Sequence, residues 1–499
     1  MKAMDRRAFL ARSAAVAGGL AIAGPFEAFR ARLASAQPVA SPGYGPLIDM
    51  GDLWLPEGFE YRIISRRGDP MTDVNPATGV PFPTPSRFDG MATFDDPDTG
   101  ETILIRNHEN RSRRNDFAGA ETPVVVPNPY DPVVRPGDGQ QICKGGVTKL
   151  VVGDRASDDP VPGTALLGGT IWNCAGGATP WNTWITCEEE AVDSGTAAAP
   201  IPHGYVFEVD AFAASPVDAI PIKTAGRFDH EAVVWHDESL YLTEDKHIDD
   251  GGACFYRYTP TPRPTAAGDL AASSGPLDAL VVDGYPNLLT STQWPIAVGE
   301  PLPVTWVTVP EPDPRVGPNS RPNAVRFQAQ ALGAAIFQRT EGCWLGDDRI
   351  YFDCTTGGPS AMGQIWELDP RAMELRLIFQ SDDASVLFQP DNLTVAPTED
   401  VFICEDTGGG PADPVPHIRA LTPDGLIYDF ARAGRGGLME GTNKTEFCGT
   451  CFSSVPRPEP RSGGLDLSTL TLYVNQQGAA SASGAPGVTY AIWGPWKRD

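Results

Sequence analysis

The sequence has 499 residues, of which 41% are hydrophobic, so it is long enough to bury a large core. Its 64 acidic side chains outnumber the 38 basic ones and give a formal charge of −26, which argues against nucleic acid as a partner because little here would neutralise a phosphate backbone. The 53 glycines and 49 prolines favour many short strands joined by turns over long helices, and we expect an all-β fold.

Residues 1–36 have the features of an export signal. The run DRRAFL at 5–10 matches the twin-arginine motif, an apolar run follows at 13–24, and ASA at 34–36 supplies a small-residue cleavage site. The apolar run is too short to span a bilayer. We therefore expect the twin-arginine export machinery as a partner, no stable membrane anchor after cleavage, and a periplasmic or extracellular location.

One strand pattern recurs six times along residues 37–499, which we expect to form a single domain. Each copy begins with a ligand-type residue beside a small or apolar one and runs through an alternating strand that ends in polar or acidic residues. The six starting residues are Asp89, Cys174, Glu231, Glu341, Asp391 and Glu446. Their spacing suits four-stranded blades with variable loops, so the pattern predicts a six-bladed β-propeller.

Closure of such a ring would gather the six starting residues at one end of a central channel. The strand ends would add more oxygen donors, among them Glu109, Glu188, Glu189, Glu244, Asp245, Glu405 and Asp406. So many anions cannot share a poorly solvated funnel without compensation, and bound cations are the simplest source of it. We therefore expect a metal centre at the mouth of the channel.

The donor types indicate which metals the centre binds. Carboxylates and amide oxygens such as that of Asn392 suit hard ions, above all Ca²⁺. The thiol of Cys174, which precedes two glycines at 176 and 177, suits iron or zinc better. A site with both donor types indicates mixed metals, or one Ca²⁺ with the cysteine in another role. The odd count of nine cysteines leaves at least one thiol unpaired, and Cys174 is our choice.

Several motifs resemble those of the PhoX-type alkaline phosphatases, and the resemblance covers most of the chain after residue 36. The most specific stretches are RNHE at 106–109, NCAGGATPWNTWITCEEE at 173–190, GRFDHEA at 226–232, FQPDNL at 388–393 and YVNQQG at 473–478. The pair formed by Arg339 and Glu341 adds to the resemblance. Three positions depart from the family pattern, namely Asn182, Gly342 and Cys254.

The resemblance implies an exported six-bladed propeller with a mixed iron–calcium centre that hydrolyses a small phosphate ester. By motif, Cys174 is similar to the cysteine that ligates iron in the family. Glu109, Glu189 and Glu341 are similar to the family's carboxylate ligands. Arg339 is similar to the phosphate-binding arginine. In this reading metal ions clamp the phosphoryl oxygens, and the guanidinium stabilises charge on the transferred group.

The full predicted site combines these positions with the carboxylates of the repeated pattern. The predicted metal ligands are Cys174, Glu109, Glu188, Glu189, Glu231, Glu244, Asp245, Glu341, Asp391, Asn392, Glu405 and Glu446. Arg339 is the predicted catalytic residue. Two alternatives stay open: a Ca²⁺-dependent lactonase-like or phosphotriesterase-like hydrolase, and a non-catalytic metal-stabilised propeller that serves as a binding module. The phosphatase is preferred because a lactonase would need neither Arg339 nor Cys174.

Overall fold

The computed structural model describes residues 43–111, 121–131, 143–159, 161–192, 201–290, 296–407, 414–434, 445–453, 466–478 and 485–496. The predicted export signal at 1–36 lies outside these residues. The described chain is almost entirely β-structure, and its two α-helices are short: α1 (Asp269–Ala272) and α2 (Val325–Ala331). Of the helices in the described ranges, none has the length and apolarity needed to cross a lipid bilayer.

The β-strands are numbered in chain order. The first nine are β1 (Leu47–Asp49), β2 (Leu53–Pro56), β3 (Glu60–Arg66), β4 (Pro70–Val74), β5 (Pro81–Pro83), β6 (Phe88–Asp95), β7 (Thr102–His108), β8 (Gly145–Val152) and β9 (Thr164–Thr170). The next nine are β10 (Asn173–Ala178), β11 (Thr183–Glu188), β12 (Val206–Asp210), β13 (His230–His236), β14 (Ser239–Glu244), β15 (Tyr256–Tyr258), β16 (Leu277–Val282), β17 (Pro301–Thr308) and β18 (Thr340–Gly346). The remaining ten are β19 (Arg349–Cys354), β20 (Gln364–Asp369), β21 (Glu374–Gln380), β22 (Pro390–Val395), β23 (Val401–Glu405), β24 (His417–Leu421), β25 (Ile427–Ala433), β26 (Phe447–Phe452), β27 (Leu472–Gln476) and β28 (Val488–Trp493).

Antiparallel pairing divides most of these strands into six successive groups within the described chain. Groups 1 to 6 are β6–β9, β10–β12, β13–β16, β18–β21, β22–β25, and β26–β28 together with β3. Strand β3 comes from the N-terminal part of the chain and pairs with β28, so the two ends of the described chain meet in one sheet. Strand β17 links groups 3 and 4, β1 and β2 extend group 5, and β4 pairs with β5.

The first strand of each group is its inner strand, and the inner strands contact one another in a closed order. That order is β6, β10, β13, β18, β22, β26 and back to β6. Apolar side chains fill the space between successive groups: Phe94 and Ile105 of group 1 pack with Trp184 and Phe207 of group 2. No sheet here buries both faces alone, so stacking of neighbours supplies the core. The prediction of an all-β, propeller-like fold is confirmed.

A β-bulge occurs near the start of every inner strand. The first residue of the inner strand pairs with the last residue of the second strand, as Phe88 does with His108, and the register then shifts by one residue. The same shift occurs in the other five groups. A bulge bends the strand and re-aims a side chain. Here it gives each group one side chain that departs from ordinary strand alternation.

Candidate metal centre

Three sets of residues, with one member from each strand group in each set, lie where the inner strands begin. The bulge residues, each second in its inner strand, are Asp89, Cys174, Glu231, Glu341, Asp391 and Cys448. The strand-end residues, each directly after the second strand, are Glu109, Glu189, Asp245, Thr355, Asp406 and Gln477. The strand-start residues, each directly before the inner strand, are Arg87, Trp172, Asp229, Arg339, Gln389 and Glu446.

A repeated backbone contact holds these sets in place. In all six groups the N–H of the strand-end residue donates to the carbonyl oxygen of the strand-start residue, at 2.8 to 3.2 Å. Four strand-start residues have a left-handed backbone with φ between 49° and 52°, namely Arg87, Trp172, Arg339 and Gln389. This conformation costs of order 1 kcal/mol or more for a residue with a Cβ. The surrounding sheet therefore imposes the turn that carries Arg339 to its position.

Polar side chains of a preceding group secure several of the bulges. The Asn107 Nδ2 atom donates to the backbone oxygens of Cys174 and Ala175, at 3.0 and 2.7 Å. The hydroxyl of Thr243 donates to the backbone oxygen of Glu341 at 2.6 Å. These contacts fix the backbone of a ligand candidate from outside its own strand, which is how a rigid site is positioned.

The sixth repeat differs from the sequence prediction in its register. The sequence pattern starts this repeat at Glu446, whereas in the structure Cys448 is the bulge residue and Glu446 is the strand-start residue. The Cys448 thiol donates to the backbone oxygen of Phe88 at 2.9 Å. The difference arises because a bulge shifts the alternation by one position, which an acidic residue near the strand start does not reveal.

One group of donor atoms combines sulfur and oxygen. It consists of Glu109, Cys174 and Glu189, each of which offers one donor atom within 4.8 Å of the other two. The Cys174 Sγ atom lies 2.6 Å from Glu189 Oε2. The Glu109 carboxylate also accepts hydrogen bonds from Arg111 Nε, at 2.7 Å, and from Arg87. We refer to these three residues as the sulfur–oxygen donor group.

A second group of donor atoms consists only of carboxylates. Glu231, Glu341 and Asp391 each offer one oxygen within 4.8 Å of the other two, and we refer to them as the all-oxygen donor group. Thr355 donates its hydroxyl to Glu341 Oε1 at 2.7 Å. The buried Glu231 Oε2 has no hydrogen-bond partner among the described residues. A buried carboxylate oxygen without a donor fits a cation-binding position.

Arg339 lies between two carboxylates at the all-oxygen donor group. Its Nε and Nη2 atoms donate to the two carboxylate oxygens of Asp245, at 3.0 and 3.3 Å, and Nη2 also contacts Glu341 Oε1. The side chain is 23% exposed. The guanidinium is thus oriented by its neighbours and still reaches solvent, as a residue that binds an anionic ligand must.

The charges of the centre do not balance within the protein. Nine carboxylates interact electrostatically in one continuous set, and three arginines pair with members of that set. The carboxylates are Asp89, Glu109, Glu189, Glu231, Asp245, Glu341, Asp391, Asp406 and Glu446. The arginines Arg87, Arg111 and Arg339 leave an excess of six negative charges if all nine ionise, and this donor set fits bound cations.

Several carboxyls of the centre have raised pKa values. Burial, followed by the charge of Glu109, raises the pKa of Asp89 to about 8. Burial also raises the pKa of Glu231 and of Asp391 well above the ordinary range, and neighbouring carboxylates add to both shifts. Burial and the neighbouring carboxylates thus disfavour the ionised forms of these groups in the protein alone. Added positive charge, such as that of a bound cation, would favour their ionised forms.

Two carboxyls of the centre are instead compensated by arginines. Burial acts to raise the pKa of Glu109, but Arg111 and Arg87 outweigh it, and the net shift is downward. Burial is likewise overcome at Asp245, whose pKa is lowered chiefly by Arg339. These two carboxylates are therefore ionised in the protein alone. They in turn hold the arginine side chains that pair with them in position.

Six of the predicted ligands lie outside both donor groups, and four of these six accept hydrogen bonds from backbone N–H groups instead. Glu188, Glu244 and Glu405 are the last residues of their second strands, so their side chains point away from those of the residues that follow them. All three accept hydrogen bonds from backbone N–H groups: Glu188 from Gly204, Glu244 from Cys254 and Glu405 from Phe388. Asn392 Oδ1 accepts from the backbone N–H of Thr450 at 3.2 Å.

The other predicted site residues are at the centre, with different roles for three of them. Cys174, Glu109, Glu189, Glu231, Glu341 and Asp391 form the two donor groups. Asp245 is held by Arg339, and Glu446 interacts with Asp406 and Glu109. Arg339 contacts the all-oxygen donor group through Glu341.

Sequence reasoning missed three polar residues that contact the centre. Arg87 pairs with Glu109, and Gln477 Nε2 donates to both Asp89 and Glu109. Lys246 pairs with Asp229. For Arg87 and Gln477 the strand-start and strand-end positions were the available signal, because each lies one residue outside a strand. Lys246 lies one residue beyond the strand-end position of its group, so this signal does not mark it. Arg87 and Gln477 do not look like ligands, and only the strand pairing gives them a shared position.

The three departures from the family pattern have local structural explanations. Asn182 has a φ of 62°, a left-handed conformation that glycine adopts freely and asparagine tolerates. A Cβ at Gly342 would lie 2.6 Å from the backbone oxygen of Asp391, so no larger residue fits there without a shift. Cys254 is buried and its N–H donates to Glu244 at 3.2 Å. Its thiol donates to the backbone oxygen of Arg326 at 3.9 Å.

A cleft of about 500 Å³ opens beside the centre. Its lining includes Arg111, Trp172, Lys246 and Arg339 together with Glu189 of the sulfur–oxygen donor group. The Arg111 guanidinium stacks on the Trp172 ring, with its carbon 4.3 Å from the ring centroid. A small ligand in this cleft would therefore lie close to cationic side chains and to Glu189, a metal-ligand candidate.

Comparisons with known proteins identify the family and support the fold. A family profile described as alkaline phosphatase PhoX matches residues 42–457. Among solved structures, Pseudomonas fluorescens PhoX in complex with vanadate, described as a transition state analogue, is similar with a TM-score of 0.63 and 16% identity, over 90% of this chain and 97% of that chain.

A gluconolactonase from Xanthomonas campestris is similar over 91% of this chain and 98% of that chain, at 10% identity, but its TM-score of 0.38 is too low to support an inference. A search of curated protein sequences gave no significant match. The family profile covers well over half of the chain, and the chain therefore belongs to the alkaline phosphatase PhoX family of metal-dependent phosphoric ester hydrolases.

Proposed function

We propose that this phosphatase hydrolyses small phosphate esters at a centre containing iron and calcium, with Cys174 among the iron ligands. The observation that carries the proposal is the arrangement of the two donor groups around Arg339: one offers a thiol with carboxylates, and the other offers carboxylates alone. A thiolate suits iron, and a set of hard oxygen donors suits Ca²⁺. When bound, such metals stabilise charge on phosphoryl oxygens and supply an activated nucleophile.

The centre is proposed to lie at the mouth of the central channel of a six-bladed propeller formed by residues 37–499. Six strand groups with the same bulge, whose inner strands contact one another in a closed order, support this reading. In a closed propeller, equivalent positions of the inner strands meet at one end of the axis. The three sets of site residues are equivalent positions of that kind.

The side chains of the protein have definable tasks in this reaction. Arg339 binds the phosphate group and is held in orientation by Asp245, so little ordering is needed when the substrate arrives. Arg111 and Lys246 line the same cleft and attract an anionic ester. Arg111 is itself held by Glu109 and Trp172. The cationic side chains thus line the same cleft as Glu189 of the sulfur–oxygen donor group.

The metal assignment is tested by elemental analysis of the exported protein, combined with assays on p-nitrophenyl phosphate, bis(p-nitrophenyl) phosphate and a small lactone. We expect both iron and calcium, faster hydrolysis of the monoester than of the diester, loss of turnover on treatment with a Ca²⁺ chelator, and inhibition by vanadate. Calcium without iron in an active enzyme would overturn the mixed centre. Lactone hydrolysis without phosphate-ester hydrolysis would favour the lactonase-like alternative.

Export is a separate part of the proposal and rests on residues 1–36. The motif DRRAFL at 5–10 and the small-residue site at 34–36 support twin-arginine export to the periplasm or beyond. A fusion of residues 1–36 to a reporter that folds in the cytoplasm should be exported. Replacing both Arg6 and Arg7 with lysine should keep the fusion protein in the cytoplasm. The control substitution Arg12→Lys should still allow its export. Export of the double variant at the parental rate would refute the twin-arginine assignment.

A further inference from the structure

A third cluster of potential metal ligands lies apart from the two donor groups. Asp131 lies between β7 and β8, Cys143 lies two residues before β8, and His203 precedes β12. None of the three belongs to the predicted ligand set. Their side chains are buried, with exposed fractions of 0%, 1% and 0%. Three donors of different chemistry, from separated parts of the chain, therefore meet in the interior.

The spacing of the donor atoms is specific. Asp131 Oδ2 lies 3.6 Å from His203 Nε2, and Cys143 Sγ lies 3.7 Å from each of these two atoms. The nitrogen–oxygen separation is too long for a good hydrogen bond. It matches the edge of a tetrahedron: bonds of roughly 2.0 to 2.3 Å from a central Zn²⁺ to its ligands give edges of roughly 3.3 to 3.8 Å. One ion at the centre of the three atoms would satisfy all three distances.

An independent contact orients the histidine toward that point. The Nδ1 atom of His203 lies 2.6 Å from Glu188 Oε1. The Glu188 carboxylate is in turn held by the backbone N–H groups of Ile171 and Gly204, at 3.1 and 2.8 Å. A carboxylate bonded to the outer nitrogen of a metal-binding histidine fixes the ring and increases its basicity. The remaining nitrogen, Nε2, is the one that faces Asp131 and Cys143.

Two other interpretations explain less of the geometry. The order of Cys143, His203 and Glu188 is also that of a nucleophile, its base and an orienting acid, but a nucleophile needs access to substrate and all three side chains are buried. A buried ion pair would account for His203 between two carboxylates. It would not account for a thiol at equal distances from the imidazole and the carboxylate of Asp131.

We propose that Asp131, Cys143 and His203 bind one divalent transition metal ion, for which Zn²⁺ is the best match, in a structural site separate from the catalytic centre. Binding releases the proton of the Cys143 thiol, and the thiolate and the Asp131 carboxylate then balance the charge of the ion. Arg227 holds the backbone beside the histidine, because its Nε donates to the backbone oxygen of His203 at 2.9 Å.

The consequence for the enzyme is mechanical. The ion would join the connection between β7 and β8 to the segment that leads into β12, and so fix the end of β11, where Glu188 lies. Glu189, the next residue, belongs to the sulfur–oxygen donor group. Loss of the structural ion would therefore loosen one ligand candidate of the catalytic centre without removing it.

The site is tested first on the unaltered exported protein. Crystals soaked in Zn²⁺ should give an anomalous difference peak, at the zinc absorption edge, between Asp131 Oδ2, Cys143 Sγ and His203 Nε2. This measurement does not depend on the metals of the catalytic centre, so its outcome is independent of the iron–calcium proposal. Absence of a peak at this position would overturn the inference.

Variants test the ligands in solution. In a Cys174→Ala background, Co²⁺ added to the chelated protein should produce a sulfur-to-cobalt charge-transfer band. One equivalent of zinc should then displace the cobalt from this site. Adding Cys143→Ser should abolish the band. Cys187 is a buried thiol on β11, and adding Cys187→Ser instead should leave the charge-transfer band unchanged. A band that survives Cys143→Ser in a protein folded by circular dichroism would rule out Cys143 as a ligand.

Discussion

The Sγ atom of Cys174 lies 2.6 Å from Oε2 of Glu189, and the two residues are brought together by the antiparallel pairing of β10 and β11. Burial raises the pKa of the Cys174 thiol well above its ordinary range, and Glu189 adds to the shift. The protein alone therefore keeps a proton on this pair. A bound cation is what would allow the thiolate and the carboxylate to coexist at such a short separation.

Replacing Cys174 with alanine should remove iron from the protein and abolish turnover. The variant loses the one thiol of the sulfur–oxygen donor group, and we expect the affinity for iron to fall by more than about 100-fold, since changes merely next to ligands cost about 10- to 100-fold. Elemental analysis after dialysis measures the effect. The matched control is Cys404→Ala. Cys404 is another buried thiol and lies in an apolar cluster, so this variant should keep its iron. Retention of iron in Cys174→Ala would exclude the cysteine as a ligand.

Replacing Arg339 with lysine should reduce kcat/KM by about 10²- to 10³-fold, although the charge is kept. Lysine lacks the planar fork that places Nε and Nη2 against Asp245 and Glu341. Steady-state assays with p-nitrophenyl phosphate measure the loss. Arg349→Lys is the control, because Arg349 pairs with Glu367 and Asp369 and lies outside both donor groups. Equal rates for the two variants would show that Arg339 does not contact the phosphate.

Adjacent glutamates at the end of β11 should respond differently to the same change. Glu189→Gln should lower metal content and turnover while the fold persists, because Glu189 belongs to a donor group. Glu188→Gln should lower the free energy of unfolding by about 3–5 kcal/mol, because it removes the charged partner of buried His203. Urea unfolding and metal analysis on both proteins distinguish the two effects. Identical profiles would contradict the opposite orientation of the two side chains.

Chelated protein should lose stability as the pH rises, and metal-loaded protein should lose much less. Burial raises the pKa of Glu341 to about 7, against the opposing charge of Arg339, and that of Asp89 to about 8. The folded carboxyls thus keep protons that the unfolded chain releases near pH 4, so their stabilising contribution is present at low pH and is lost between about pH 4 and 8. Each such proton changes the free energy of unfolding by about 1.4 kcal/mol per pH unit in this interval. Calorimetry at pH 5 and pH 8 measures the difference, and equal slopes with and without metal would argue against cations at these carboxylates.

Much of the fold and part of the centre follow from local sequence. The sixfold strand pattern predicts the all-β, propeller-like fold, because alternation along a strand is written in consecutive residues. The same pattern identifies Asp89, Cys174, Glu231, Glu341 and Asp391, which are bulge residues in the structure. These positions were predictable because each is a ligand-type residue at the start of a repeat, beside small or apolar residues.

What the sequence alone does not decide is which of two neighbouring acidic residues faces the centre. Glu188 and Glu189, or Glu244 and Asp245, have similar chemistry, and the strand register that separates them depends on pairing with another strand. Contacts such as that of Gln477 with Glu109 join residues 368 positions apart. The cluster of Asp131, Cys143 and His203 likewise has no sequence spacing that marks it.

The physical reason is that strand patterns depend on residues close together in the sequence, whereas the site depends on contacts between residues far apart in it. Strand alternation and turn composition are determined by residues next to one another, so the sequence specifies the strands, the repeats and the acidic character of their ends. Closure of the fold brings together residues from all six strand groups, including β3 and β28 from opposite ends of the described chain. Only that closure decides which carboxylates are left without a donor, which are paired with arginine, and where a thiol lies within reach of them.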